Sequence, residues 1–167
     1  MNVSPTRPAA ELAPEVRAEI DRWLAKYPPD RKQSAVLAAL HAVQHHYGWI
    51  RPEQMEAVAA YLEIPPVSVY EVANFYSMLE TEPVGRHIVS ICTNISCMLC
   101  GADSLVEHVE RKLGIRLGET TPDQRITLKR EEECLAACAG APMMAVDGHY
   151  HEHLTPEKVD AILDALE

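Results

Sequence analysis

Residues 92–105, with the sequence CTNISCMLCGADSL, and residues 133–144, with the sequence ECLAACAGAPMM, contain all five cysteines of the 167-residue chain. In a reducing compartment thiols stay free, which favours metal binding or redox chemistry over structural disulfides. An odd number of cysteines also leaves one thiol outside any fully paired set. The two segments therefore predict a site built from cysteine thiolates.

The sequence around these segments alternates between strand and helix patterns. Asp147-Gly148 is a strong signal for a two-residue hairpin turn. The order β-α-β-β-hairpin-α predicts a compact α/β unit of about 80 residues. Strand patterns occupy residues 86–92, 125–130 and 143–146, and helical spacing of apolar residues occupies 102–113 and 156–166.

The first half of the chain has a different pattern, in which short amphipathic helices follow one another. Proline and glycine residues separate the helical stretches, as helix starts and ends require. We therefore expect a small helical bundle over residues 1–83 and the α/β unit over residues 84–167. The predicted helices lie at residues 14–27, 36–47, 52–62 and 69–76, the last with a capping box formed by Ser68 and Glu71.

Charge and hydropathy exclude several classes of partner. The chain has 25 acidic and 15 basic side chains and a formal net charge of −10, so it repels phosphate backbones and anionic lipids. No apolar run approaches the roughly 18 residues that a membrane helix needs. The N-terminal sequence MNVSPTRPAAELAP lacks the apolar stretch of a secretory signal. These features predict a cytoplasmic protein that binds no nucleic acid and does not insert into a membrane.

The spacing of the cysteines is compatible with two kinds of iron–sulfur ligation. Four residues separate Cys92 from Cys97, two separate Cys97 from Cys100, and three separate Cys134 from Cys138. The first four of these cysteines match the plant-type pattern, which leaves Cys138 unexplained. Alternatively, two loops at strand ends each supply two ligands, Cys92 with Cys97 and Cys134 with Cys138, to a 2Fe–2S cluster.

Two other chemistries remain open on spacing alone. Four cysteines can bind a structural zinc ion, which would make the protein a zinc-stabilised interaction module. Cys97-Met98-Leu99-Cys100 could instead be the dithiol of a thiol–disulfide oxidoreductase, because in such enzymes the nucleophile begins a helix. That assignment leaves three cysteines without a role.

The two cysteine segments resemble the 24-kDa-type 2Fe–2S subunit family of proton-pumping NADH:quinone oxidoreductase, respiratory complex I. Residues 31–50, RKQSAVLAALHAVQHHYGWI, and residues 72–79, VANFYSML, are similar to that family as well. The resemblance implies an α/β fold in which a small N-terminal helical bundle precedes a thioredoxin-like 2Fe–2S ferredoxin domain. It also implies a ligand set for one 2Fe–2S cluster that excludes Cys100 and consists of Cys92, Cys97, Cys134 and Cys138.

The resemblance further implies one-electron transfer next to a flavin. The expected partner is the subunit that binds FMN and NADH, together with the large iron–sulfur subunit, in a peripheral arm on the cytoplasmic face of the inner membrane. Related subunits occur in NAD-linked hydrogenases and formate dehydrogenases, and an isolated copy could form a homodimer. The sequence has neither a G-x-G-x-x-G fingerprint nor a P-loop, so the NADH site is expected on the partner.

Several other residues support narrower predictions. The carboxylates of Glu131-Glu132-Glu133 precede Cys134 and oppose reduction, so we expect a midpoint potential towards the negative end of the 2Fe–2S range. Pro142 is equally compatible with a cis and a trans peptide bond. Phe75 is expected at an interface and Tyr76 in the core. Solvent-exposed, non-ligand roles are expected for His41 and His45, and for His149, His151 and His153, which alternate along a predicted strand.

Overall fold

The computed structural model describes residues 11–130 and 134–167. The chain divides into two compact units, Met1–Pro83 and Val84–Glu167, which we call the N-terminal and the C-terminal unit. Among the described residues, no helix is long and apolar enough to span a membrane.

The N-terminal unit consists of short helices whose starts are determined by proline. Proline occupies the first position of three of them, where its missing N–H and its fixed φ angle are tolerated. Gly48, with φ 86°, ends another. The described helices are α1 (Pro14–Leu24), α2 (Val36–Tyr47), α3 (Pro52–Leu62) and α4 (Pro66–Phe75), and a 3-10 turn at Lys32–Ala35 precedes α2.

The predicted capping box of α4 is wrong. Helix α4 begins at Pro66, with Pro65 as the residue before it, and no side chain caps it. Ser68 therefore lies inside the first turn, and its backbone N–H donates to Pro65 O at 3.0 Å. The core of this unit is formed by apolar faces of all four helices, and its fully buried members include Ile20, Leu40, Val43, Ile50, Val58, Leu62 and Val69.

The C-terminal unit is built on a five-stranded mixed sheet with strand order β2-β3-β1-β4-β5. Strands β1 and β3 are parallel, whereas β1–β4, β2–β3 and β4–β5 are antiparallel. The strands are β1 (His87–Ile91), β2 (Glu119–Thr120), β3 (Ile126–Lys129), β4 (Met144–Val146) and β5 (His149–His151), and the helices are α5 (Ile95–Leu99), α6 (Ala102–Leu113) and α7 (Pro156–Asp164).

Two helices cover one face of this sheet. The apolar sides of α6 and α7 pack on alternate residues of β1, β3 and β4, and a hydrogen bond between His108 Nε2 and Asp160 Oδ1 at 2.8 Å joins the two helices. The β4–β5 turn is the predicted hairpin, since Asp147 and Gly148 both have positive φ, 50° and 80°. The predicted α/β class is confirmed, with the strands one or two residues shorter than their sequence patterns.

Candidate metal centre

The first cysteine is placed by the end of a central strand. Strand β1 pairs with β4 through Ile91 and Met144, so the residues just outside this pair, Cys92 and Met143, are also neighbours. The N–H of Cys92 donates to Met143 O at 3.1 Å, which continues the ladder by one bond. Cys92 is 2% exposed, and the buried end of strand β1 determines its position.

Cys97 lies in the middle of helix α5, on the side of the helix that faces the protein. It is 2% exposed, and burial raises the pKa of its thiol to about 11. A hydrogen bond with Cys92 and the charges of Cys92 and Cys138 contribute to the same rise in the pKa, whereas the backbone N–H of Met143 opposes it by stabilising the thiolate. Cys97 thus interacts with both cysteine segments.

The second segment presents its two thiols as a close pair. The Sγ atoms of Cys134 and Cys138 lie 3.5 Å apart, and both residues are exposed. The backbone reverses between them at Ala136, whose φ is 62°, and the N–H of Ala136 donates to Cys134 Sγ at 3.3 Å. A backbone N–H aimed at sulfur stabilises the thiolate form, which is the form that binds metal.

A small apolar cluster joins the two segments. Its buried members are Cys92, Cys97, Ala102 and Met143, and three partly buried residues of the second segment pack against them, Leu135, Ala137 and Ala141. In the described part of the chain, no three His, Cys, Asp or Glu side chains converge on a single metal ion. The described cysteine contacts are Cys92 with Cys97, and Cys134 with Cys138.

Cys100 is separated from this cluster. It is exposed, and it follows the last residue of α5. The dithiol hypothesis meets two difficulties here, because Cys97 lies in the middle of α5 rather than at a helix start and because its pKa is raised. A nucleophilic cysteine needs a lowered pKa.

The remaining sequence predictions concern residues around the site. The Ala141–Pro142 peptide bond is cis. Phe75 is 77% exposed, whereas Tyr76 is partly buried against the N-terminal core. His153 does not continue the alternation of His149 and His151, because it lies beyond β5 and has φ 51°. Residues 131–133, and with them the predicted effect of the three glutamates, lie outside the described residues.

Sequence reasoning missed the backbone groups that contact the thiols. Met143 contributes a carbonyl to Cys92 and an N–H to Cys97, and Ala136 contributes an N–H to Cys134. Residue type does not indicate which backbone groups will contact a thiol. The available signal was position alone, since Met143 directly precedes a predicted strand and Ala136 lies between two cysteines.

The fold and the cysteine segments define a class of protein. The model of the thioredoxin-like [2Fe-2S] ferredoxin family matches residues 20–167. The chain belongs to this family, whose members carry a 2Fe–2S cluster, and the resemblance inferred from the sequence is confirmed.

Similar proteins are named as subunits of NADH-quinone oxidoreductase and as an NADH dehydrogenase flavoprotein. Over 151 residues the sequence is 45% identical to an NADH-quinone oxidoreductase subunit of Rhizobium meliloti, and the match covers 90% of this chain and 88% of that protein. It is 38% identical to the mitochondrial NADH dehydrogenase [ubiquinone] flavoprotein 2 of Dictyostelium discoideum, over 93% of this chain and 63% of that protein.

A solved structure shares the fold. The NAD⁺-reducing [NiFe]-hydrogenase in the air-oxidized state matches 77% of this chain with a TM-score of 0.67 and 22% sequence identity. The match spans only 22% of the length of that hydrogenase chain. At this identity the likeness concerns the fold alone.

Proposed function

We propose that this chain is the electron-transfer subunit of an NADH:quinone oxidoreductase, and that Cys92, Cys97, Cys134 and Cys138 bind its 2Fe–2S cluster. The observation that carries this proposal is the contact of the two cysteine segments in one small cluster around Met143. The relatives named as subunits of NADH-quinone oxidoreductase support the same assignment. When bound, the cluster supplies reversible one-electron redox chemistry.

The donor set fits such a cluster. A rhomb of two irons takes two thiolates on each iron, and the thiols of this protein contact each other in two pairs. Two thiolates on one tetrahedral metal ion, with metal–sulfur bonds of about 2.3 Å, are about 3.8 Å apart. The 3.5 Å between Cys134 Sγ and Cys138 Sγ is close to that separation. The buried pair limits the access of water, whereas the exposed pair leaves one side of the site open.

The open side is suited to a partner. Three apolar side chains of the ligand-bearing helix α5 are exposed: Ile95 at 68%, Met98 at 45% and Leu99 at 77%. Apolar side chains at this position become buried when another protein covers the site. We assign this face to the subunit that binds FMN and NADH, because electron exchange requires the two redox groups to be close.

We propose that this chain and the FMN-binding subunit belong to the peripheral arm of complex I, on the cytoplasmic face of the membrane. The large iron–sulfur subunit is the second proposed neighbour. NADH oxidation then belongs to the complex, and this chain contributes the electron carrier. The relatives that are named as NADH-quinone oxidoreductase subunits support this assignment.

Electron exchange with the flavin subunit tests the proposal. The protein with its cluster reduced is mixed anaerobically with the oxidised flavin subunit, and both absorbances are followed by stopped flow. We expect the cluster to be reoxidised as the flavin gains electrons, and NADH without the flavin subunit to leave the cluster of the isolated protein oxidised. A reduced cluster that persists beside the flavin subunit would contradict the proposal.

A further inference from the structure

A glutamate side chain lies directly on the turn that follows Cys138. This turn, Cys138–Gly140, is a 3-10 turn, and Gly140 is buried. A methyl group at position 140 would overlap with the Cγ, Cδ and Oε2 atoms of Glu152. The carboxylate of Glu152 therefore occupies the space that any side chain at position 140 would need.

Backbone hydrogen bonds hold Glu152 at this place. The N–H of His153 donates to Gly140 O at 2.7 Å, and the N–H of Leu154 donates to Pro142 O at 2.9 Å. The segment after β5 is thus attached to the cysteine-bearing loop by the two residues that follow Glu152. These bonds fix the backbone around Glu152 beside the loop, and its flexible side chain extends from there against Gly140.

The carboxylate of Glu152 has no ion-pair partner among the residues that the structure describes. The nearest cation in the sequence, Lys158, donates its Nζ to His153 O at 2.8 Å instead. Glu152 is itself exposed, so water solvates it on one side while the other side faces the loop. Among the described residues, no side chain therefore cancels its negative charge.

We propose that the carboxylate of Glu152 lowers the reduction potential of the cluster held by Cys138. The inference rests on the proposed function, because it needs Cys138 as a ligand. Gly140 follows Cys138 by two residues, so their Cα atoms are at most about 7 Å apart. The carboxylate of Glu152 lies against the Cβ position of residue 140, so it is at most about 11 Å from the Cα atom of Cys138, a distance comparable to the Debye length of about 8 Å at physiological ionic strength. A negative charge at that range opposes the addition of an electron.

A substitution at Gly140 provides a second way to move the carboxylate of Glu152. Its backbone does not adopt the left-handed conformation that excludes side chains, so Gly140→Ala is compatible with the local fold. The atoms that would meet the new methyl group are the far end of a flexible side chain. Gly140→Ala therefore displaces the carboxylate and leaves the net charge of the protein unchanged.

The test is the midpoint potential of the cluster in the full-length protein, measured anaerobically by a redox titration that is followed by the electron paramagnetic resonance signal of the reduced cluster. We expect Glu152→Gln to raise the midpoint and Gly140→Ala to raise it as well. In the double variant, Gly140→Ala should add little to the effect of Glu152→Gln, since the charge is already gone. Iron and sulfide content is measured on each variant.

Glu119→Gln is the matched control, because it removes the same charge from β2, which lies about 19 Å from β5 at the opposite sheet edge and two strand spacings from β1, the strand that leads to Cys92. Its midpoint should shift less than that of Glu152→Gln. An unchanged midpoint in Glu152→Gln would overturn the inference, as would an undiminished effect of Gly140→Ala in the double variant. A wild-type protein that binds no iron and sulfide would overturn the proposed function and this inference with it.

Discussion

The N–H of Cys92 donates to the carbonyl of Met143 at 3.1 Å, so the two cysteine segments, some forty residues apart in sequence, meet at the end of one β-ladder. Met143 also directs its own N–H at the thiol of Cys97. A residue outside the proposed ligand set thereby orients the two buried cysteines through its backbone, and the rigid β1–β4 pair positions both.

The two adjacent methionines provide a matched pair of variants for this arrangement. Met143 and Met144 are both fully buried, but Met143 packs against Cys92 and Cys97 whereas Met144 packs in the sheet core. Either change to alanine should lower the free energy of unfolding by about 2–5 kcal/mol. Only Met143→Ala should in addition accelerate the loss of the visible absorbance of the cluster under chelator. Alanine keeps the backbone groups of residue 143, so equal rates of cluster loss in the two variants would contradict a role for the packing of the Met143 side chain against the two buried cysteines.

The exposed face of α5 can be tested by partner affinity. Burial of one leucine side chain is worth about 1.5–3 kcal/mol, so Leu99→Ser should weaken binding to the flavin subunit by roughly 10-fold to 100-fold. The measurement is the dissociation constant by biolayer interferometry. Val67→Ser is the control, since Val67 is 59% exposed on α4. An effect of Val67→Ser as large as that of Leu99→Ser would contradict the assignment of the exposed α5 face to the flavin subunit.

The contact between α6 and α7 predicts a pH-dependent stability. A hydrogen bond from His108, together with the positive charges of His108 and Lys112, lowers the pKa of Asp160 below its usual value. The unfolded protein binds the proton more tightly, so this contribution is present above about pH 4 and is lost as the pH falls through the folded pKa. Urea unfolding should show Asp160→Asn less stable than the wild type near neutral pH, with the difference vanishing in acid. A difference that is independent of pH would count against the interaction.

Helix α7 depends on a single side-chain cap. The hydroxyl of Thr155 accepts a hydrogen bond from the N–H of Lys158 at 3.3 Å. Thr155→Ala should lower the free energy of unfolding by about 1 kcal/mol. Thr155→Ser keeps the hydroxyl and should therefore keep most of the stability that alanine loses. Urea denaturation of the three proteins measures both effects. Equal losses in the alanine and serine variants would show that the hydroxyl is not the stabilising group.

Local patterns predicted the elements that depend on local chemistry. The hairpin at Asp147-Gly148 and the proline-initiated starts of α1 and α3 were predicted because turn and helix-start preferences act within a few residues. The capping box at Ser68 was wrong for the same kind of reason, since the helix begins at Pro66, three residues before the predicted start at residue 69.

The parts that could not be predicted depend on contacts between distant segments. The approach of Glu152 to Gly140 and the contacts of Met143 with two cysteines arise only when the sheet has formed. The short helix α5 was also missed, because five residues are too few to show a helical period. The ligand set itself stays a prediction, supported by the resemblance and by the proximity of the thiols.

Iron and acid-labile sulfide per protein molecule, measured after anaerobic reconstitution of the wild type, Cys100→Ser and Cys138→Ser, test the central claim most directly. We expect two irons and two sulfides in the wild type and in Cys100→Ser, and a lost or unstable cluster in Cys138→Ser. Loss of the cluster in Cys100→Ser with retention in Cys138→Ser, or a colourless wild type that holds one zinc ion, would contradict the account.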